Sequence, residues 1–86
     1  MRRPWVTSPS YETAINMLIE ARKQAGLSQR ELADRLGKPR SFVSKLENRE
    51  RRLDIVEFVA LTRALGLDAA MVAGQIADAL PSQLEF

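Results

Sequence analysis

Leu27 to Asn48 reads LSQRELADRLGKPRSFVSKLEN, and the punctuation of this stretch decides the fold. Ser28-Gln29-Arg30-Glu31 is a capping box: the Ser28 hydroxyl serves the Glu31 amide, and the Glu31 carboxylate returns to the Ser28 amide. Leu27 and Leu32 supply the hydrophobic staple that accompanies such a start. The helix is short, because Gly37 follows Leu36 and offers the positive φ that ends it. Pro39 fits the first turn of a new helix, where its missing N–H costs nothing. With only about three residues between them, the two helices must cross steeply, and Ala33 is small enough to let one pack across the other.

On a wheel advancing about 100° per residue, Val43 and Leu46 define the buried face of this second short helix. Arg40, Ser41, Ser44 and Lys45 spread over the opposite face, with Phe42 on the flank. Lys38 to Arg52, KPRSFVSKLENRERR, therefore sets six positive side chains beside three apolar ones. Such a helix is held from behind and presents a cationic, hydroxyl-bearing front. That front matches the DNA major groove, where arginine and lysine donate to guanine O6 and N7 and serine suits several base edges. The plain alternative is a solvated face, since exposed lysines are ordinary.

Working outward, the 86 residues suffice for one domain with a modest core. Cysteine and histidine are both absent, which removes disulfides, thiol chemistry and the commonest general base and metal ligand. Neither an enzyme nor a cofactor is expected. Gly37-Lys38 lacks the spacing of a phosphate-binding loop, and the acidic residues form no metal-holding cluster. No apolar run approaches the roughly 20 residues of a membrane span, and MRRPWVTSPS lacks the apolar stretch of a signal peptide. The expected location is the cytoplasm, with no membrane partner. Residues 1–53 carry 12 Lys/Arg and 6 Asp/Glu, a balance of +6, whereas residues 54–86 carry 1 and 5, a balance of −4. One part of the chain suits a polyanion.

Helical periodicity continues on both sides. A first helix, about Tyr11 to Gln24, carries Ala14, Ile15, Leu18, Ile19 and Ala21 on one broad face, with Ser8-Pro9 or Ser10 as its start and Gly26 as its stop. Residues 1–7 read as a loose arm, whose Trp5, near Arg2 and Arg3, either enters a minor groove or plugs onto the helices. Asp54 and Glu57 form a second capping box, with Leu53 and Phe58 as staple, and the helix runs to about Leu65 before Gly66. Its Ile55, Phe58, Val59, Leu61 and Leu65 mark it as a central buried helix. Asp68 caps a fifth helix, Ala69 to about Leu80, with Met71, Val72, Ile76, Ala79 and Leu80. The chain is thus expected to be all-α, with five helices in residues 8–80 and a tail, 81–86. Val72, Ile76, Leu80, Leu84 and Phe86 make a candidate homodimer surface at the acidic end. The competing reading folds the tail back onto the core.

The run LSQRELADRLGKPRSFVSKLENRERRLDIVEFVALTRALGLD, Leu27 to Asp68, closely resembles the Cro/repressor-type helix-turn-helix family, also called Xre or lambda-repressor-like. The resemblance rests on a combination: Gln29 opening the second helix, Ala33 at the crossing, Gly37 in the turn, Val43 and Leu46 behind the third helix, Glu47-Asn48 closing it. It implies a compact five-helix domain in which Gln29 touches a phosphate and Arg40, Ser41, Ser44 and Lys45 read base edges. Gln29 is otherwise an ordinary first-turn residue. Lys38 and Phe42 would flank the groove, Phe42 partly exposed and near a thymine methyl or sugar-phosphate. Many relatives have glycine where this chain has Arg49, so Asn48, which tolerates a left-handed backbone, becomes the expected cap. Arg49, Arg51 and Arg52 are placed to clamp phosphates beside the groove, or else to pair with Glu47 and Glu50. The implied function is a transcriptional regulator of repressor type, a homodimer on double-stranded DNA with a near-palindromic operator. The rival is an antitoxin-like module that neutralises a protein partner and regulates its own synthesis through DNA.

Overall fold

Ser8 caps the first helix by accepting the Tyr11 backbone N–H on its hydroxyl at 3.3 Å, with Pro9 in the first turn behind it. The computed structural model describes residues 8–85. The loose arm expected at 1–7, with Trp5, and the expected dimer contact Phe86 lie outside the described residues. Five helices follow in order: α1 Pro9–Gln24, α2 Gln29–Leu36, α3 Arg40–Glu47, α4 Ile55–Ala64 and α5 Ala69–Ala79. Among the described residues the fold is all-α, as expected.

Four of the five helices start on a side-chain cap, α3 being the exception. In both capping boxes the bonds run in both directions: Glu31 N–H to Ser28 Oγ at 3.1 Å with Ser28 N–H to Glu31 Oε1 at 2.9 Å, and Glu57 N–H to Asp54 Oδ1 at 2.7 Å with Asp54 N–H to Glu57 Oε1 at 3.0 Å. Asp68 accepts the Met71 N–H at 2.9 Å. Pro39 stands one position earlier than expected, as the extended residue just before α3.

Ala33, 1% exposed, sits where α2 meets α3 with only Gly37, Lys38 and Pro39 between them. The core gathers Ile15 and Leu18 of α1, Leu27, Leu32, Val43, Leu46, Leu61, Leu65 and Val72. Every helix contributes, and α3 itself is held from behind by α2 and α1. Burying Val43 and Leu46 alone favours this placement by about 1.5–3 kcal/mol each.

Two expectations about the apolar helices change. The fourth helix is not buried throughout: Leu61 and Thr62 are buried on its inner stripe, but Ile55 is 79% exposed and Phe58 and Val59 only half-buried. Side chains lean toward a helix's N-terminus, so one in the first turn projects past the packed neighbours. Val72, expected on a partner surface, is 7% exposed inside the core of its own chain, and Ile76 packs against that core. Residues 72 and 76 lie one turn apart on the stripe that faces α1 and α4, so they complete the monomer.

Candidate nucleic-acid interface

The front of α3 carries Arg40, Ser41 and Lys45 exposed to solvent, with Lys38 exposed in the turn before it. Behind them Val43 and Leu46 are 1% and 3% exposed, which fixes the rotation of the helix. Ser44 is half-buried, and its hydroxyl donates to the Ser41 carbonyl at 3.2 Å, leaving its lone pairs outward as acceptors.

Phe42 is half-buried on the flank, packed against the core on one side and facing cations on the other. The Lys38 ammonium lies 5.6 Å from its ring centre and the Arg51 guanidinium 4.9 Å. Arg51 also donates to Glu57 Oε2 at 3.0 Å. Arg52 stacks 4.5 Å over the ring of Tyr11, whose hydroxyl donates to the Arg51 carbonyl at 3.3 Å and accepts the Leu53 N–H at 3.0 Å. Burial pushes the Tyr11 hydroxyl above its ordinary 10.0, against the lowering effect of the Leu53 bond and the nearby Arg52 and Arg51. Tyr11 therefore pins the loop that carries the three arginines to the start of α1.

Arg49 takes the left-handed backbone, φ 59, and its Nε lies 3.9 Å from Glu12. Asn48, expected in that role, keeps φ −81, and its amide faces Glu50 at 3.5 Å. Arg49 Nε, Arg51 Nη1 and Arg52 Nε and Nη2 are buried without a hydrogen-bond partner. The Arg51 and Arg52 guanidiniums lie over the Phe42 and Tyr11 rings, and the cation–ring contact offsets part of the missing hydrogen bonds.

Glu47 does not pair with the loop arginines. It receives Arg22 Nε at 2.7 Å and Nη2 at 3.0 Å, and Gln29 Nε2 at 2.9 Å. Arg22 spends its third donor, Nη1, on the Leu27 carbonyl at 2.7 Å. Gln29, expected at a phosphate, is thus half-buried with its amide engaged inside the chain. Neither Arg22 nor Tyr11 was singled out from the sequence. The signal is nonetheless there: Tyr11, Ile15, Leu18 and Arg22 share one helical stripe, and an arginine on an apolar stripe implies a buried partner.

Two short helices joined by three residues, the second buried behind and cationic in front, define a helix-turn-helix. A helix-turn-helix family model (HTH_3) matches residues 18–72, from the middle of α1 into α5. Among solved structures, an XRE-family-like protein from Pseudomonas syringae pv. tomato is 46% identical, with a TM-score of 0.79 over 84% of this chain and 88% of that one. The clp gene regulator ClgR from C. glutamicum shares the fold at 23% identity, TM-score 0.73, over 90% of this chain and 100% of that one. No curated sequence matches the chain. The chain belongs to the Cro/C1-type helix-turn-helix family of DNA-binding transcription regulators. No described helix is long and apolar enough to cross a membrane.

Proposed function

We propose that this regulator represses transcription from the cytoplasm as a homodimer, each chain laying α3 in the major groove of a near-palindromic operator. The observation that carries this reading is the two-sidedness of α3: Arg40, Ser41 and Lys45 exposed in front, Val43 and Leu46 sealed behind. Arg40 and Lys45 donate to guanine edges, Ser41 and Ser44 adapt to neighbouring ones, and Phe42 abuts a thymine methyl or sugar. Lys38, Gln29, Asn48 and the arginine loop, Arg49 foremost, meet phosphates that set the register. A rigid module filling a groove excludes other proteins from the same base pairs, which is repression by occupancy.

Selection of bound fragments from a random duplex pool tests this directly. A consensus with two inverted half-sites is expected. On that consensus, Arg40→Ala and Lys45→Ala each lose about 1–3 kcal/mol and relax the preference at one or two base pairs. Both side chains are exposed, so thermal unfolding stays unchanged. Unaltered base preference in both variants would remove α3 from the groove.

A further inference from the structure

Glu47 is the last residue of α3, yet its side chain is only 12% exposed and its two oxygens meet three donors from two other helices. Arg22 alone, bidentate and 11% exposed, already satisfies the carboxylate's charge. The bond from Gln29 Nε2 to Oε1 at 2.9 Å is additional, and it has a geometric effect. An anionic acceptor decides which end of an amide turns inward: the NH2 group is drawn in and the carbonyl oxygen is turned away. An amide NH2 carries two protons held in one plane. With one on Glu47, the direction of the other is fixed.

We infer that Glu47, itself held by Arg22, is a positioning residue for DNA binding that aims the second Nε2–H of Gln29 at a backbone phosphate. The inference rests on the reading of Gln29 as a phosphate contact. Because Gln29 begins α2 and Glu47 ends α3, the same bond sets the phosphate anchor and the base-reading helix in one fixed relation. The ordering of a freely rotating glutamine is then completed on folding rather than on binding.

The test uses the full chain and a selected duplex carrying a neutral methylphosphonate at one backbone position at a time. The native protein loses about tenfold in affinity at one phosphate of each half-site, the worth of a hydrogen bond to a charged oxygen. In Gln29→Ala that loss falls to within about twofold, and it does so equally in Glu47→Gln and in Glu47→Asp, which keeps a carboxylate for Arg22 but withdraws it from Gln29. Losses at the other phosphates persist. If folded Glu47 variants keep the tenfold loss that Gln29→Ala abolishes, Glu47 does not position the amide and the inference falls alone. If Gln29→Ala keeps it too, the phosphate reading of Gln29 falls and takes the inference with it. Amide NMR of the native protein decides the matter even where the Glu47 variants do not fold. Exchanging the methylphosphonate for phosphate must shift one Gln29 Nε2 proton and leave the other in place, whereas movement of both means the Glu47 bond is given up on binding.

Discussion

Arg49 holds a backbone conformation that costs an L-residue roughly 1–2 kcal/mol. The cause is local: Arg49 N–H donates to the Leu46 carbonyl at 3.1 Å and Glu50 N–H to the Lys45 carbonyl at 2.9 Å, a paired closure that requires a left-handed residue between helix and loop. Replacing Arg49 by glycine removes the strain, partly offset by glycine's greater unfolded-state freedom of about 0.5–1 kcal/mol. The variant is expected to gain up to about 1 kcal/mol, with the melting temperature rising by several degrees. Its DNA affinity should fall on all sequences alike, with the salt slope reduced by about one unit. Lower stability would show that the Arg49 side chain contributes more than its backbone costs, and an unchanged slope would place it away from phosphate. The missing glycine was legible in the sequence as a departure, but the left-handed residue was expected at Asn48. Helix α3 reaches Glu47 with Asn48 still near helical values, so the turn falls one residue later, a difference that side-chain preference alone does not reveal.

At the scale of the element, α1, α2, α3 and α4 all close with this same pair of backbone bonds, and the left-handed residue is Gly26, Gly37, Arg49 and Gly66 in turn. Their stops were readable because glycine marks three of them, and the starts of α2 and α4 because Ser28 and Asp54 each have a glutamate three residues on. The Ser28–Glu31 box predicts a pH effect. Bonds from the Ser28 backbone N–H and then its hydroxyl hold the Glu31 carboxyl below its ordinary 4.5. A depressed carboxyl stabilises the fold above that value, and the contribution is lost as pH falls below it. Urea midpoints followed from pH 6 to pH 3 should show native stability converging on that of Glu31→Gln, which retains a capping amide but does not titrate. A constant gap between the two would mean the ionised form contributes nothing. The arrangement of Glu47 was not legible in the same way. It depends on three helices meeting, and local spacing offered the loop arginines as equally near partners.

For the whole molecule, the question is what surface remains for a second copy once the chain has satisfied itself. Val72 and Ile76 serve the chain's own core, and the tail is tied back where Glu85 N–H donates to Ser10 Oγ at 3.2 Å. Among the described residues the two most exposed large apolar side chains are adjacent, Ile55 at 79% and Val56 at 73%, just beyond the arginine loop. We propose this pair as the dimer contact; the joined chains would then have to present their α3 helices about 34 Å apart on one side to meet successive major grooves. Val56→Asp is a surface change that folding tolerates within about 0.5 kcal/mol. It is expected to shift the protein to monomer and to weaken binding to the full operator by on the order of a hundredfold, because the second half-site is no longer tethered to the first. Affinity for an isolated half-site should hold. Deletion of residues 81–86 should leave the dimer intact if the contact is at Val56, although Leu84, 48% exposed, gives the tail an apolar side chain of its own. Sedimentation at micromolar concentration reads all three proteins. A native monomer that binds one chain per operator would end the dimer model, whereas a dimer lost on tail deletion and kept in Val56→Asp would move the contact to α5 and the tail.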